Sequence, residues 1–337
     1  MGPVIPLLAV WEVWCKKDAS VEAIWVGTSV GPEKNVIESE GIPFLSIPTV
    51  RLRRYVSIEW IFIPVKFIAA FVSAMNIIWN HQPDIIASAG GYTAVPVIFA
   101  AKLLGKKIWV HQQDVNVTLT NRLTRPFANL LTVAWEKNRL DFGEQAQWVG
   151  NPVRLSCLQG NVQRAQALFN LDKLKPTVFI FGGGTGATWI NRCVQEIVAE
   201  LVKETNVIHL TGKGKIVQSV YSNYFVTDFL NDDMADAYAV ADIVVCRAGL
   251  SSITELAALK KAAILIPLPH SPQEANAQIM KEACVILEQD VIQQTELLDE
   301  MRKLLHDSNR RKEFGEKMYA KLRTDGAEEI IEMLKKL

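Results

Sequence analysis

Residues 177–191 read TVFIFGGGTGATWIN, and four glycines in five positions mark them as a place for chemistry. Gly182, Gly183, Gly184 and Gly186 separate an apolar, β-branched run from a segment that sets Ile190, Val194, Ile197, Val198 and Leu201 on one helical stripe. A buried parallel strand, a glycine turn and a helix N-terminus together make a phosphate-holding geometry. Glycine lets the backbone approach an anion closely, and the N–H groups and dipole of the helix favour its charge. The run is not GxGxxG followed by a ribose-binding acid, and it lacks the Lys-Ser/Thr of a P-loop. The same residues also suit a tight strand–helix turn that holds nothing, and both readings stand at this level.

The elements that would position such a loop follow from the rest of the chain. Its 337 residues suffice for two domains of ordinary size. Lys plus Arg equal Asp plus Glu at 36 each, which excludes a nucleic-acid binder that relies on global charge. The five cysteines form no CxxC pair and read as reduced thiols of a cytosolic protein, and the five histidines show no metal spacing. No basic segment precedes the first apolar run, so none reads as a secretory signal. Residues 57–80 are long and greasy but carry Glu59, Pro64 and Lys66, a poor composition for a spanning helix. RLRRY, beginning at Arg51, precedes them, and Trp60 and Trp79 flank them. That pattern suits either a helix resting on an anionic bilayer or a core helix behind a basic loop.

Strands are expected at 23–27, 44–47, 84–88, 107–111, 131–134 and 147–149, with helices at 4–16, 57–80 and 95–104 between them. GNPVR at 150–154 interrupts the alternation, which restarts at Thr177 with strands at 207–210, 243–246, 263–266 and 285–287. Helices close the chain from 295 to 337. The simplest architecture is two doubly wound α/β domains joined near residue 151, each with a parallel sheet and helices on both faces. Ligands of such sheets bind at the carboxyl ends of the strands, here in the cleft between the domains. The chain opens on MGPVIPLLAV, a helix start, where a doubly wound domain begins with a strand. Either the chain is truncated or the first sheet lacks a strand at its centre.

Four further stretches join GGGTGA in one resemblance: PVIPLLAVWE at the start, SAGGYTAVPVIFAAKLLGKKIWVHQQDVNVTLTNR from Ser88, GNPVR, and FLNDDMADAYAVADIVVCRAGLSSITELAALKKAAILIP from Phe229. In this order, over nearly the whole chain, they resemble the MurG family, UDP-N-acetylglucosamine transferases of the glycosyltransferase family 28 type that convert lipid I to lipid II. The resemblance implies a GT-B fold, with an acceptor and membrane-facing domain at 1–150 on which the helix 326–337 packs back, and a donor domain at 151–325. It implies an inverting hexosyltransferase that moves GlcNAc from UDP-GlcNAc to the C4 hydroxyl of a polyprenyl-diphosphate-linked acceptor, with no cofactor and no metal. A role in peptidoglycan synthesis, and so in cell-wall biogenesis, shape and division, comes with it. So does a peripheral place on the cytoplasmic face of the bacterial plasma membrane, touched through residues 51–79, with no nucleic acid as partner.

Several residues fit on physical grounds. No Asp-x-Asp pair occurs, so no carboxylate clamp for a metal-bound diphosphate is evident. Backbone dipoles at Gly183, Gly184 and Thr185 and the cation Arg154 would then stabilise the leaving UDP. The family often carries Ser at the position of Gly184. The alternative for Arg154 is a linker salt bridge. Glu255 reads as a dipole-stabilising surface acid, or by resemblance as the acceptor of both ribose hydroxyls. Phe229, Leu230 and Met234 resemble the uracil pocket, and otherwise read as ordinary core. Gln273 and Asn276 keep the spacing of the sugar-contacting Gln-x-x-Asn, after a loop that is shortened and carries Pro272. Gly249 supplies another turn, where Ser251 and Ser252 can cap the next helix.

The acceptor side departs more. Gly90, Gly91 and Tyr92 make a second glycine turn suited to an acceptor diphosphate, and Asn121 matches a family asparagine. Where the family reads His-Glu-Gln-Asn, this chain has His111, Gln112, Gln113 and Asp114, so the charge has moved two positions. His111 suits a structural as well as a functional role. Of the family's N-terminal Gly-Gly-Thr-Gly-Gly-His only Gly2 remains, and Pro3 stands where the histidine that is a favoured general base should be. Proline takes no proton, and Asp114 is the candidate replacement. These departures keep two further readings open: a nucleotide-sugar binding protein with weak or no activity, and a related transferase with another lipid or glycan acceptor.

Overall fold

A computed structural model describes residues 2–29, 33–48, 63–183, 186–215, 219–230 and 233–337. The chain falls into two compact units, Met1–Pro152 with Asp325–Leu337, and Val153–Thr324. The first unit runs α1 (Ile5–Lys17), β1 (Trp25–Gly27), α2 (Glu33–Ser39), β2 (Phe44–Ser46), α3 (Ile63–His81), β3 (Ile85–Ser88), α4 (Ala94–Leu103), β4 (Lys107–Gln112), α5 (Leu119–Thr124), β5 (Leu130–Val133), α6 (Asn138–Phe142) and β6 (Ala146–Trp148). The second runs α7 (Val162–Leu168), β7 (Thr177–Phe181), α8 (Thr188–Glu204), β8 (Asn206–Leu210), β9 (Tyr224–Thr227), α9 (Met234–Val240), β10 (Ile243–Cys246), α10 (Leu250–Ala258), β11 (Ala262–Leu265), α11 (Pro272–Ile279), β12 (Val285–Ile286), α12 (Gln294–His306) and α13 (Ser308–Lys321). The last helix, α14 (Ala327–Leu334), packs on α1 in the first unit.

The described strands of the first unit form two parallel sheets, β1-β2 and β3-β4-β5-β6, rather than one. Among the described residues, each of β1 and β3 is paired on one side only. The effect shows in β3, where Ala87 is exposed and Ile85 and Ile86 are half-buried, while β5 is buried throughout. A parallel strand is normally covered on both faces and paired on both edges, so β3 has the character of an edge in a fold where it would lie inside. Gly326 lets α14 close in: a Cβ there would stand 2.0 Å from the Val149 carbonyl oxygen.

The second unit carries six parallel strands in the order β12-β11-β10-β7-β8-β9. Every residue of β7, β8, β10 and β11 is buried, which is why these stretches are continuous apolar runs instead of alternating ones. The amphipathic α8 lays Ile190, Val194, Ile197 and Leu201 into the core against Val178 and Ile180. The short edge strand β9 was absent from the sequence expectation; YFVT has strand propensity but no alternation long enough to separate it from a loop.

One neutral histidine is sealed into each unit. His111 Nε2 donates to Asn151 Oδ1 at 3.1 Å, leaving Nδ1 to accept from the Thr132 hydroxyl at 2.9 Å. His209 repeats the arrangement, with Asn191 Oδ1 at 3.1 Å and Tyr224 Oη at 2.8 Å. Burial pushes both imidazoles down to about 4, below the ordinary 6.5. The unfolded chain therefore binds more protons than the folded one between pH 6.5 and about 4, and stability is lost as pH falls through that window. The cost is on the order of 3 kcal/mol per histidine. Thermal unfolding midpoints should drop steadily from pH 6.5 toward 4, and H209Q should flatten part of the slope. A midpoint that is level across this range would show that the histidines are not held neutral.

Candidate functional site

In the second unit the chain moves outward from β7 through β8 to β9, then returns to the other side of β7 as β10. The switch point therefore lies between β7 and β10, and the turns that leave these two strands flank it. This is where an open parallel sheet parts to admit a ligand. The turn after β7 is the glycine run. Gly183 and Gly186 have φ of +84° and +71°, and the Gly186 N–H closes the turn on the Gly183 carbonyl at 2.9 Å. A Cβ at Gly186 would stand 2.2 Å from the Thr211 carbonyl oxygen, whereas one at Gly183 would meet open space. Gly184 and Thr185 lie outside the described residues.

The helix that follows is 17 residues long, and no side chain caps its N-terminus at Ala187. Its first-turn N–H groups point out of the carboxyl end of the sheet as donors for an anion. Asn191 fixes the turn's far side by donating to the Thr211 carbonyl at 2.8 Å, and His209 holds the Asn191 oxygen. Lys215 brings a cation that sequence reasoning missed: its ammonium lies 3.4 Å from the Thr188 hydroxyl in the first turn of α8. The signal was the run TGKGK after β8, whose glycines Gly212 and Gly214 also have positive φ.

Glu255 is the sixth residue of α10 and only 8% exposed, so the surface-acid reading fails. The Tyr238 hydroxyl donates to its Oε2 at 2.6 Å, the Cys157 thiol hydrogen-bonds to it, and the charge of Arg154 acts on it. Burial raises the Glu255 pKa, while these three partners pull it back down. Arg154 is thus brought to Glu255 within one unit. Phe229 and Leu230 follow β9 and Met234 opens α9. Phe229 is 41% exposed and the other two are half-buried, which excludes ordinary core packing.

Gln273 and Asn276 fare differently. The Gln273 carboxamide oxygen accepts from the Leu268 N–H at 3.0 Å, leaving its NH2 as the donor end of the side chain. Asn276 is fully buried and donates to the Ala248 carbonyl at 3.4 Å, tying α11 to the turn after β10. Gly249, not Ser251 or Ser252, occupies the cap of α10, because the helix starts at Leu250, before either serine. Arg247 buries its guanidinium against the Ile266 and Pro267 carbonyls, each at 3.1 Å, and so steadies the start of the loop that carries Gln273.

In the first unit, Gly90 and Gly91 have φ of +101° and +91° and turn the chain from β3 into α4, with Tyr92 38% exposed. Pro3 is the nearest neighbour of Gly91, 3.8 Å from where its Cβ would be, so Gly2 and Pro3 lie beside this turn. Asn121 is 1% exposed and donates to the His111 carbonyl at 3.1 Å and to Gln112 Oε1 at 2.7 Å. Its own Oδ1 is buried without a partner among the described residues and faces Gly90 at 3.8 Å from the Cβ position. Gln112 donates from its one NH2 to the Asp114 and Asn116 carbonyls at 2.6 and 3.1 Å. A carboxylate could not donate either bond, so Gln112 shapes the loop that presents the half-buried Asp114. His111, neutral and enclosed by Thr132 and Asn151, is structural.

Two parallel α/β units, the second with a glycine turn at its switch point and a buried carboxylate in α10, have the architecture of the GT-B fold. Residues 1–132 match the glycosyltransferase family 28 N-terminal domain, and residues 177–332 the glycosyltransferase family 28 C-terminal domain. Curated relatives named UDP-N-acetylglucosamine–N-acetylmuramyl-(pentapeptide) pyrophosphoryl-undecaprenol N-acetylglucosamine transferase include one from Clostridium perfringens, 32% identical over 99% of this chain and 95% of its own. Another, from Legionella pneumophila, is 31% identical over 99% and 93%. The crystal structure of Acinetobacter baumannii MurG superposes with a TM-score of 0.71 at 24% identity, covering 98% of this chain and 95% of that one. The chain belongs to glycosyltransferase family 28 and, within it, to the MurG family.

The loop geometry separates two glycine substitutions. G186A meets backbone as well as an unfavourable φ and should cost roughly 2–4 kcal/mol. G183A meets only the φ penalty, about 1–2 kcal/mol. Urea unfolding of both variants checks this ranking, and equal losses would mean that the turn does not press on Thr211.

Proposed function

We propose that the chain transfers GlcNAc from UDP-GlcNAc to the C4 hydroxyl of lipid I, giving lipid II in peptidoglycan synthesis. The observation that carries it is Glu255: a buried carboxylate in α10 of the second unit that the charge of Arg154 acts on, in the unit whose switch point opens on the uncapped α8. The relatives' shared name supports the choice of donor and acceptor.

On this reading residues 151–325 hold the donor. Glu255 accepts from both ribose hydroxyls, and Phe229, Leu230 and Met234 border the uracil. The Gln273 amide donates to the sugar, while Asn276 supports the loop from behind. Arg154, the N–H groups around Gly183, Gly184 and Thr185, and the α8 dipole take up the charge on the departing diphosphate. Residues 1–150 with 326–337 hold the acceptor, with Gly2, Gly90, Gly91 and Tyr92 at its diphosphate and Asn121 Oδ1 as a ready acceptor for a hydroxyl. Asp114 takes the proton from the C4 hydroxyl as its oxygen bonds to the anomeric carbon. The bond from that carbon to the UDP oxygen breaks on the opposite face, which inverts the centre from α to β.

Membrane contact through residues 51–79 is supported by α3. It buries Ala70, Ala74 and Ile78 on its own unit and leaves Val65, Ile68, Val72 and Trp79 at least half exposed on another face. It is long and apolar enough to cross a membrane, but a helix packed along one side and apolar on the other suits an interfacial position. Residues 51–62, with the basic cluster and Trp60, lie outside the described residues. The resulting place is peripheral, on the cytoplasmic face of the plasma membrane.

Transfer of radiolabelled sugar from UDP-GlcNAc to a lipid I analogue tests the whole. Donor binding without transfer would favour the binding-protein reading, and transfer to another glycolipid alone would move the acceptor. D114N should lower kcat by about 10²–10⁴ while UDP still binds; unchanged turnover removes Asp114 from the mechanism. The pair I68D and V72D should release the protein from anionic vesicles in a flotation assay, and undiminished flotation would move the contact away from α3.

A further inference from the structure

The donor reading leaves two groups around Glu255 without a role, and both are aimed at it. Tyr238 is fully buried, and its ring is wedged edge-on against Phe179 and Phe181 at 5.3 and 5.9 Å between centroids. The wedge fixes the hydroxyl 2.6 Å from Glu255 Oε2. Cys157 reaches the same carboxylate from the 3-10 turn Leu155–Leu158, three residues after Arg154, so that thiol and guanidinium approach from one turn. Arg154 is the extended residue that caps this turn, and its carbonyl accepts from the Cys157 N–H at 3.2 Å, so the two side chains leave the same short segment.

We infer that Tyr238 and Cys157 are positioning residues that keep the Glu255 carboxylate charged and turned toward a vicinal diol. A carboxylate offers about four lone-pair directions, and two internal donors leave two, the number that neighbouring ribose hydroxyls require. The inference rests on the donor reading of Glu255. Without these donors, burial favours the protonated acid, which can accept from a diol less well and would itself donate. The groups facing Glu255 are Tyr238 from α9, Arg154 and Cys157 from the 3-10 turn, and Cys246 from β10. Burial, and then the charge of Glu255, pushes both Tyr238 and Cys246 well up, so the phenol remains a donor and the Cys246 thiol stays neutral.

Calorimetric titration with UDP between about pH 5 and 9, together with KM and kcat for UDP-GlcNAc, tests the inference in the full chain. Wild-type affinity should fall as pH drops through the Glu255 pKa. In Y238F that fall should move to higher pH, with about tenfold weaker binding near neutrality that recovers toward pH 9, and KM should rise with little change in kcat. C157A should shift the curve the same way by less, and C157S should restore it. A purely structural loss would weaken binding equally at every pH, and such parallel curves would overturn the inference. Should Y238F fail to fold, C157A carries the test from outside the aromatic core, and an unmoved midpoint there overturns it. E255Q separates the two layers. If it binds UDP as tightly as wild type, the ribose role of Glu255 fails; if it loses binding while Y238F keeps the wild-type pH profile, only the positioning role fails.

Discussion

The pairing of β7 between β8 and β10 is the constraint on which the second unit depends. All five residues of β7 are in register with β8, and four of them with β10, so the strand has no freedom to slide. A slip of one residue in a sheet covered on both faces would exchange every side chain between its two faces. With β7 fixed, the glycine turn emerges at the switch point and α8 starts from a set position. The same strand supplies Phe179 and Phe181, which wedge Tyr238 against Glu255. The glycine turn and the buried carboxylate are therefore held by one strand.

The first unit relies on amides where the second relies on a strand. Asn121 and Gln112 connect the α5 N-terminus, the end of β4 and the loop to Asn116 through five hydrogen bonds of 2.6 to 3.2 Å. The Asn121 amide donates, while Gln112 accepts from it and donates to the loop, so the charge absent from position 112 is what allows the loop to close on itself. That exchange leaves a carboxylate at Asp114 on the same loop. The histidine beneath it contributes shape and not chemistry, because burial keeps it neutral.

Much of this was legible in the residues, for identifiable reasons. β7 and β10 agree with expectation to the residue, since continuous apolar runs ended by Gly182 or by the charged Arg247 leave little choice of boundary. The glycine turn was visible because glycine is favoured there by backbone angle at Gly183 and by both angle and space at Gly186. The edge strand β9 and the cation Lys215 were not visible. Neither has a periodic neighbourhood, and each acquires its place only by contact with β8 or α8. Ser251 and Ser252 look like caps in sequence and are not, because helix starts are set by backbone angles that composition does not fix.

By itself the sequence determined the class of fold, the parallel alternation and the glycine turn, since these follow from hydrophobic period and glycine geometry, both local properties. Only the tertiary structure decided what Glu255 and Asn276 do. By its residues alone Glu255 read as a surface acid, and Asn276 had a role only by resemblance, as a sugar contact. Folding seals both and gives Glu255 a phenol, a thiol and a nearby guanidinium, and Asn276 a carbonyl of the neighbouring turn. Burial and partner choice arise from contacts between residues as much as about a hundred positions apart, and these set whether a polar group binds a ligand or braces the fold.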